Sequence, residues 1–342
     1  MTIDRRAVLG GLVAAPAIIS AGARWGHAAA PKVLKISHQF PGGTIDEGDF
    51  RDRLCQRFAQ EVQKRTNGEL KLEVYANSSL MKVQAQFSSM RKGALDMSLY
   101  PLPYAGGEVP EANLGLMPCL VTTYEQGLAW KKAEIGQELI RSLDSKGIKI
   151  ITWVWQAGGI ASRGGPIVRP DDVKGVKIRG GSREFDIMLK AAGGTVISMP
   201  SNELYASMQT GAADAVVTSS TSLISFKLEE VSKSLTTGRG RSFWFMLEPL
   251  MMSKAVFDSL TPAQQKVITS VGQEMEAFGM DAAKKDDELV AQVHAKAGVK
   301  VVDFDNEALA RWRDIARDTA WKDFAERTKD GQRWLKLAET AA

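Results

Sequence analysis

The feature that most constrains this chain is a strand-then-helix rhythm that runs once, stops, and starts again. Val33-Leu34-Lys35-Ile36-Ser37 alternates as a half-buried strand does, Pro41-Gly42-Gly43 turns the chain, and a helical pattern carrying Leu54, Phe58 and Val62 follows. Asn67-Gly68 suits a left-handed helix end, and Leu70 to Tyr75 reads as the next strand. A helix over Val83 to Arg91 and a strand over Leu95 to Leu99 complete the first series. The second series has strands at Lys149 to Trp155, Val176 to Ile178, Thr195 to Ile197 and Asp214 to Val217, with helices at Glu184 to Ala192 and Asn202 to Thr210. Strands separated by helices predict largely parallel sheets covered on both faces, and two series predict two α/β lobes. The length of 342 residues accommodates them.

From Thr261 the pattern becomes mainly helical. Thr261-Pro262-Ala263-Gln264 combines a capping threonine, a proline at the first helical position and a glutamine placed for a capping box, so a long helix is expected from Ala263 to about Val293. A strand over Val299 to Phe304 and a last amphipathic helix follow. Trp312, Trp321 and Trp334 recur at helical spacing, which assigns them to packing rather than to an aromatic binding platform.

The amino terminus carries an address. Asp4-Arg5-Arg6-Ala7-Val8-Leu9 opens a mildly apolar, alanine- and glycine-rich stretch interrupted by Pro16 and ending in Ala28-Ala29-Ala30. Consecutive arginines before such a stretch read as a twin-arginine export signal over residues 1–28, too weakly apolar for a permanent anchor, which needs about 20 strongly apolar residues. The first cysteine, Cys55, lies well inside the chain, so the signal offers no lipid attachment and the product is expected to be a freely diffusing periplasmic protein. Three arginines and one aspartate leave with the signal, bringing the net charge of +4 closer to zero. That balance gives no support to a nucleic-acid partner. Cys55 and Cys119 are read as two buried free thiols.

Enzyme signatures are missing. The three histidines have no metal-ligand spacing, and there is no Gly-x-Ser-x-Gly elbow, phosphate loop or dinucleotide fingerprint, so neither metal nor cofactor is expected. What the residues offer is an anion clamp. Arg179 ends a short strand, Gly180 and Gly181 allow close backbone approach, and Ser182 begins a helix whose first turn favours negative charge. Ligands gather at this end of strands in open α/β sheets. A second candidate is Thr218-Ser219-Ser220-Thr221-Ser222 at the next strand end, with Thr218, Ser219 and Ser220 as hydrogen-bonding groups and simple helix capping as the competing use. Tyr100, Trp155 and Trp244 are candidate walls of the cleft.

Pro170 to Arg179, followed by Met199-Pro200-Ser201-Asn202-Glu203-Leu204-Tyr205-Ala206-Ser207-Met208-Gln209-Thr210-Gly211-Ala212-Ala213-Asp214-Ala215, resembles the paired signatures of DctP-type solute receptors of TRAP transporters. Arg65-Thr66-Asn67-Gly68, Asn77-Ser78-Ser79-Leu80 and Ser253 to Gln265 agree with it in order and spacing. The resemblance implies a periplasmic receptor that captures a small organic acid between two lobes and delivers it to a membrane permease driven by an ion gradient. It implies discontinuous lobes, 31–155 with 241–283 and 156–240 with 284–342, and a long lobe-crossing helix that forms part of the hinge. It gives Arg179 the role of gripping the ligand carboxylate. Many members carry asparagine or an aromatic residue where Thr218 stands, an aromatic residue near Ser201, and some a second basic residue near Gly158-Gly159. The site is therefore read as smaller or more hydroxyl-lined than in relatives that hold sugar acids. A ligand-presenting sensor for a membrane kinase and an exported enzyme acting on a small acid are the competing functions.

Overall fold

The computed structural model describes residues 30–341, so the proposed export signal lies outside the described residues. Among the described residues no helix is long and apolar enough to cross a membrane.

Two sheets organise the chain. The first contains β1 (Lys32–Ser37), β2 (Leu70–Tyr75), β3 (Met97–Leu99), β4 (Ile148–Thr152) and β11 (Leu250–Ser253) in the order β2-β1-β3-β11-β4. The second contains β5 (Trp155–Ser162), β6 (Lys177–Arg179), β7 (Thr195–Val196), β8 (Ala215–Ser219), β9 (Ser234–Thr237) and β12 (Lys300–Asp303) in the order β12-β9-β5-β8-β6-β7, with β10 (Phe245–Leu247) paired to β5. The expected βα units supply the parallel pairings β1·β2, β1·β3, β6·β7 and β6·β8. The expectation of largely parallel sheets needs correction, because β11 runs antiparallel between β3 and β4, and β5 runs antiparallel to β8, β9 and β10. These are the strands by which the chain passes from one sheet to the other, and a strand arriving from the opposite lobe is under no βα-crossover constraint to enter parallel.

The strand predicted from Lys149 to Trp155 is thus two strands, β4 and β5, broken at Trp153-Val154 where the chain leaves one sheet for the other. It returns at Glu248-Pro249, and the Glu248 N–H donates to the Val154 carbonyl at 2.8 Å, so the two passages lie side by side. The third passage is the long helix Pro262–Lys296, begun by the Thr261/Gln264 capping box as expected. It packs against β4 and the first helix, Phe50–Arg65, and also against β5, β12 and the short helix Ser220–Ser225. Gly272 allows this contact, since a Cβ there would stand 2.4 Å from the Ile151 carbonyl oxygen.

The first helix buries Leu54, Phe58 and Val62 on its inner face and stops where Asn67 and Gly68 take positive φ. Trp312, Trp321 and Trp334 are buried in the core, and the indole N–H groups of Trp312 and Trp321 donate to the Val168 and Pro118 carbonyls, both at 2.8 Å. Cys55 and Cys119 are buried free thiols.

Candidate functional site

Arg179 is the last residue of β6, in register with Val216 of β8. It is 2% exposed, and its guanidinium is held by three neutral oxygens: Nε donates to the Met199 carbonyl at 3.1 Å, Nη1 to the Val217 carbonyl at 2.9 Å, and Nη2 to the Tyr104 hydroxyl at 2.7 Å. Among the described residues it forms no salt bridge. A guanidinium has five N–H donors, so donors remain for a ligand, together with a buried charge that no carboxylate offsets in direct contact. Gly181 makes the pose possible. Its φ is +98°, and a Cβ on it would lie 2.7 Å from Arg179 Nη1. Ser182 then caps the helix Arg183–Ala191 by accepting from the Phe185 N–H.

Arg179 stands between two spaces. A groove of about 420 Å³ lies on one side, walled by Gln84, Pro103, Met199, Pro200 and Glu203. On the other is an enclosed cavity of about 10 Å³, bordered by Arg51, Thr218, Ser222, Trp244, Met246 and Glu248. Tyr104 and Gly181 border both spaces, as Arg179 does. The enclosed cavity gathers the buried charged groups, and the groove adjoins it at the residues they share. Tyr104 stands between them, its hydroxyl accepting from Arg179 and from the Ser201 N–H at 3.2 Å. With both bonds accepted, its own O–H proton remains available to a ligand.

Of the residues expected from sequence, Arg179, Thr218 and Trp244 border this cavity and four others lie elsewhere. Trp244 donates its indole N–H to the Gly180 carbonyl at 3.2 Å, which fixes the ring beside Arg179. A Cβ on Gly158 would meet Trp244 Cε3 at 2.4 Å, so Trp244 fills the room that a basic side chain near Gly158-Gly159 would need. Ser219 faces the first helix instead: its hydroxyl caps Ser220–Ser225 and lies 3.4 Å from Arg51 Nη1. Ser220 donates to Asp287 on the long helix at 2.6 Å. Successive side chains at a strand end face opposite ways, so the hydroxyl run divides between the cavity and these anchors. Tyr100 is buried against Phe87 and Tyr104 behind the wall. Trp155 packs edge-on to Trp130 in the hydrophobic core.

The sequence reading missed Tyr104, Arg51 and Glu248. Arg51, in the first turn of the first helix, is fully buried. Its Nε and Nη2 donate to Asp49 at 2.9 and 2.7 Å, its Nη1 to Glu248 at 3.2 Å and Ser222 at 3.1 Å, and its guanidinium lies 3.6 Å over the Phe40 ring. Burial opposes the charges of this cluster. Asp49 nevertheless keeps its carboxyl below the ordinary range because Arg51 sits beside it, whereas burial wins at Glu248 and pushes that carboxyl up. Arg51 is held firmly protonated by both acids. A readable signal existed for Glu248: it is the one charge in the apolar run from Phe243 to Met252.

This architecture of two α/β lobes, three passages between them and a buried arginine without an acid in contact is that of a solute-binding protein. The match to known proteins makes the assignment specific. Residues 46–328 match the family model described as bacterial extracellular solute-binding protein, family 7, and the chain belongs to that family. A solute-binding protein of Albidiferax ferrireducens is 63% identical over 306 residues, 90% of each chain. The crystal structure of a TRAP periplasmic solute binding protein from Rhodoferax ferrireducens with bound malonate superposes with a TM-score of 0.89 at 62% identity, covering 90% of this chain and 98% of that one. More distantly, a 2,3-diketo-L-gulonate-binding periplasmic protein of Escherichia coli is 29% identical over 275 residues, 79% of this chain and 82% of that protein.

Proposed function

We propose that the protein is the periplasmic receptor of a TRAP-type transporter, that it closes on a small organic anion and presents it to the membrane permease, and that Arg179 is the anchor for the ligand carboxylate. The observation that carries this reading is the Arg179 guanidinium, buried, in contact only with neutral oxygens and with donors to spare. We draw the lobes as residues 31–155 with 241–283 and 156–240 with 284–342, joined by the long helix as part of the hinge. The twin-arginine segment supports export, and the family's solute-binding character supports a receptor rather than an enzyme. The enclosed cavity, about 10 Å³ as it stands, has room for about one water, so a small acid such as the malonate bound to the 62%-identical relative would enter only as the cavity widens. Admission requires Tyr104 to leave Arg179 or the lobes to part, which is hinge motion of the kind such receptors use.

Calorimetry with malonate tests the assignment. Truncating one partner of a buried charged pair costs about 2 to 5 kcal/mol, so Arg179→Ala is expected to weaken binding about 30-fold to several-thousand-fold, with the circular dichroism of the unliganded protein unchanged. Equal affinity in the variant would refute the clamp.

A further inference from the structure

We propose that Glu248 is a second ligand-contacting residue, one that selects for a hydrogen-bond donor. When the lobes part and the cavity widens, it takes a small acid whose carboxylate lies on Arg179 and whose other end carries a hydroxyl or a carboxyl proton. A dicarboxylate such as malonate therefore binds with one proton held between its distal carboxyl and Glu248. This rests on the receptor reading above and adds the chemical class of the ligand.

Glu248 is fully buried and borders the same enclosed cavity as Arg179. Its Oε2 is occupied by Arg51 and Gln156, while its Oε1 is buried with no hydrogen-bond partner. A buried acceptor without a partner is costly, and a ligand donor would remove that cost. The other groups around the cavity do not compete for this role. Thr218, Ser201 and Ser222 carry hydroxyls that rotate to suit a donor or an acceptor, Tyr104 has only its O–H proton left to donate, Trp244 has spent its N–H on Gly180, and Pro101 and Met246 are apolar. The fixed polarity of the cavity is a donor fork at Arg179 and an acceptor at Glu248.

Charge points the same way. The ionisable groups around Glu248 are Arg51, Asp49 and Cys55 from the first helix and its cap, with Arg179 and Tyr104 across the cavity; Asp286 on the long helix faces Asp49 and Arg51. Arg51 gives two bonds to Asp49 and one to Glu248, so it is not a free second clamp for a dianion. Burial raises the Glu248 carboxyl, but the Arg51 and Gln156 donors on its Oε2 favour the carboxylate, and we take that form as the unliganded state. A second ligand carboxylate brought beside it would place two like charges together in a dry site, and such pairs hold one proton between them.

The test uses the full mature protein, titrated calorimetrically with malonate, glycolate and acetate. Malonate is measured at pH 6 to 8.5 in two buffers of different ionisation enthalpy. Wild type is expected to take up about one proton per malonate at pH 8, with affinity falling about tenfold per pH unit there, and to bind glycolate at least tenfold more tightly than acetate. In Glu248→Gln the malonate-linked proton uptake should vanish and the pH dependence flatten. Zero proton uptake by wild type, acetate equal to glycolate, or unchanged uptake in the variant would each overturn the proposal. The first two measurements need only the wild-type protein, should the variant fail to fold. Failure of all three acids to bind at every pH would refute the receptor reading and this proposal with it, whereas malonate binding that depends on Arg179 but takes up no proton would refute this proposal alone.

Discussion

Gly181→Ala separates the placement of the Arg179 guanidinium from the stability of the fold. A Cβ at residue 181 would lie 2.7 Å from Arg179 Nη1 and 3.2 Å from its Cζ. Reaching an ordinary contact of about 3.4 Å requires the guanidinium to retreat by about 0.7 Å. The Nη1 bond to the Val217 carbonyl, 2.9 Å long, does not survive such a shift with its geometry intact, and the fork turns away from the ligand. A hydrogen bond to a charged group contributes about 1.5 to 3 kcal/mol, so the dissociation constant for malonate should rise about 10- to 150-fold. The substitution also places a side chain at φ +98°, which costs about 1 to 2 kcal/mol and lowers the melting temperature of the unliganded protein by a few degrees. Gly175→Ala is the matched control: its φ is +74° and nothing lies within 4 Å of the added Cβ. It should show a comparable thermal loss and an unchanged affinity. If both variants bind malonate equally well by calorimetry, Gly181 does not position Arg179, and the reading of residues 179–182 as one built clamp is wrong.

Two further outcomes concern stability and thiol chemistry. Glu184 is buried near Arg183 and Arg327, and burial pushes its carboxyl up to about 7. Because the folded protein then holds this proton more tightly than the unfolded chain, Glu184 makes stability fall as pH rises from about 4.5 to about 7. Glu184→Gln should gain on wild type across that window by up to about 3 kcal/mol, and urea melts at pH 4.5 and 8 showing a constant difference would contradict this. Burial likewise raises both thiols, Cys119 to about 12 and Cys55 well above its ordinary value, so neither should react readily with a disulfide reagent in the native state. Two thiols should titrate promptly in denaturant without reductant, and fewer would indicate a bond between them.

The fold was largely legible because its signals are local. The capping box at Thr261 and Gln264, the Asn67-Gly68 stop and the apolar spacing of Leu54, Phe58 and Val62 each decide a few neighbouring residues, and the structure places helices there. The break between β4 and β5 was not legible. Trp153 and Val154 continue the apolar run without a turn residue, since the chain does not turn but passes straight between lobes. Arg179 could be found for the same local reason as the helices: its strand end, its glycines and its capping serine are consecutive.

The rest of the cavity was hidden by sequence separation. Tyr104 reaches Arg179 across 75 residues and Arg51 reaches Glu248 across 197, and neither partner carries a mark of the other. Asp49-Phe50-Arg51-Asp52 looks like any charged helix start exposed to water. Glu248 differs, because a single carboxylate between two apolar strands cannot remain buried and ionised without a cation beside it. Such a residue therefore implies a buried arginine or lysine from elsewhere in the chain. The strands that flank Glu248 enter the two different sheets, β10 pairing with β5 and β11 with β3 and β4, which puts that neutralising cation at the passage between lobes. The same reasoning extends from Arg51 to the ligand. Arg51 answers Glu248 and Asp49, whereas Arg179 has no acid in contact and only the more distant charge of Asp186 within the chain, and that shortfall is what the proposed ligand carboxylate would fill.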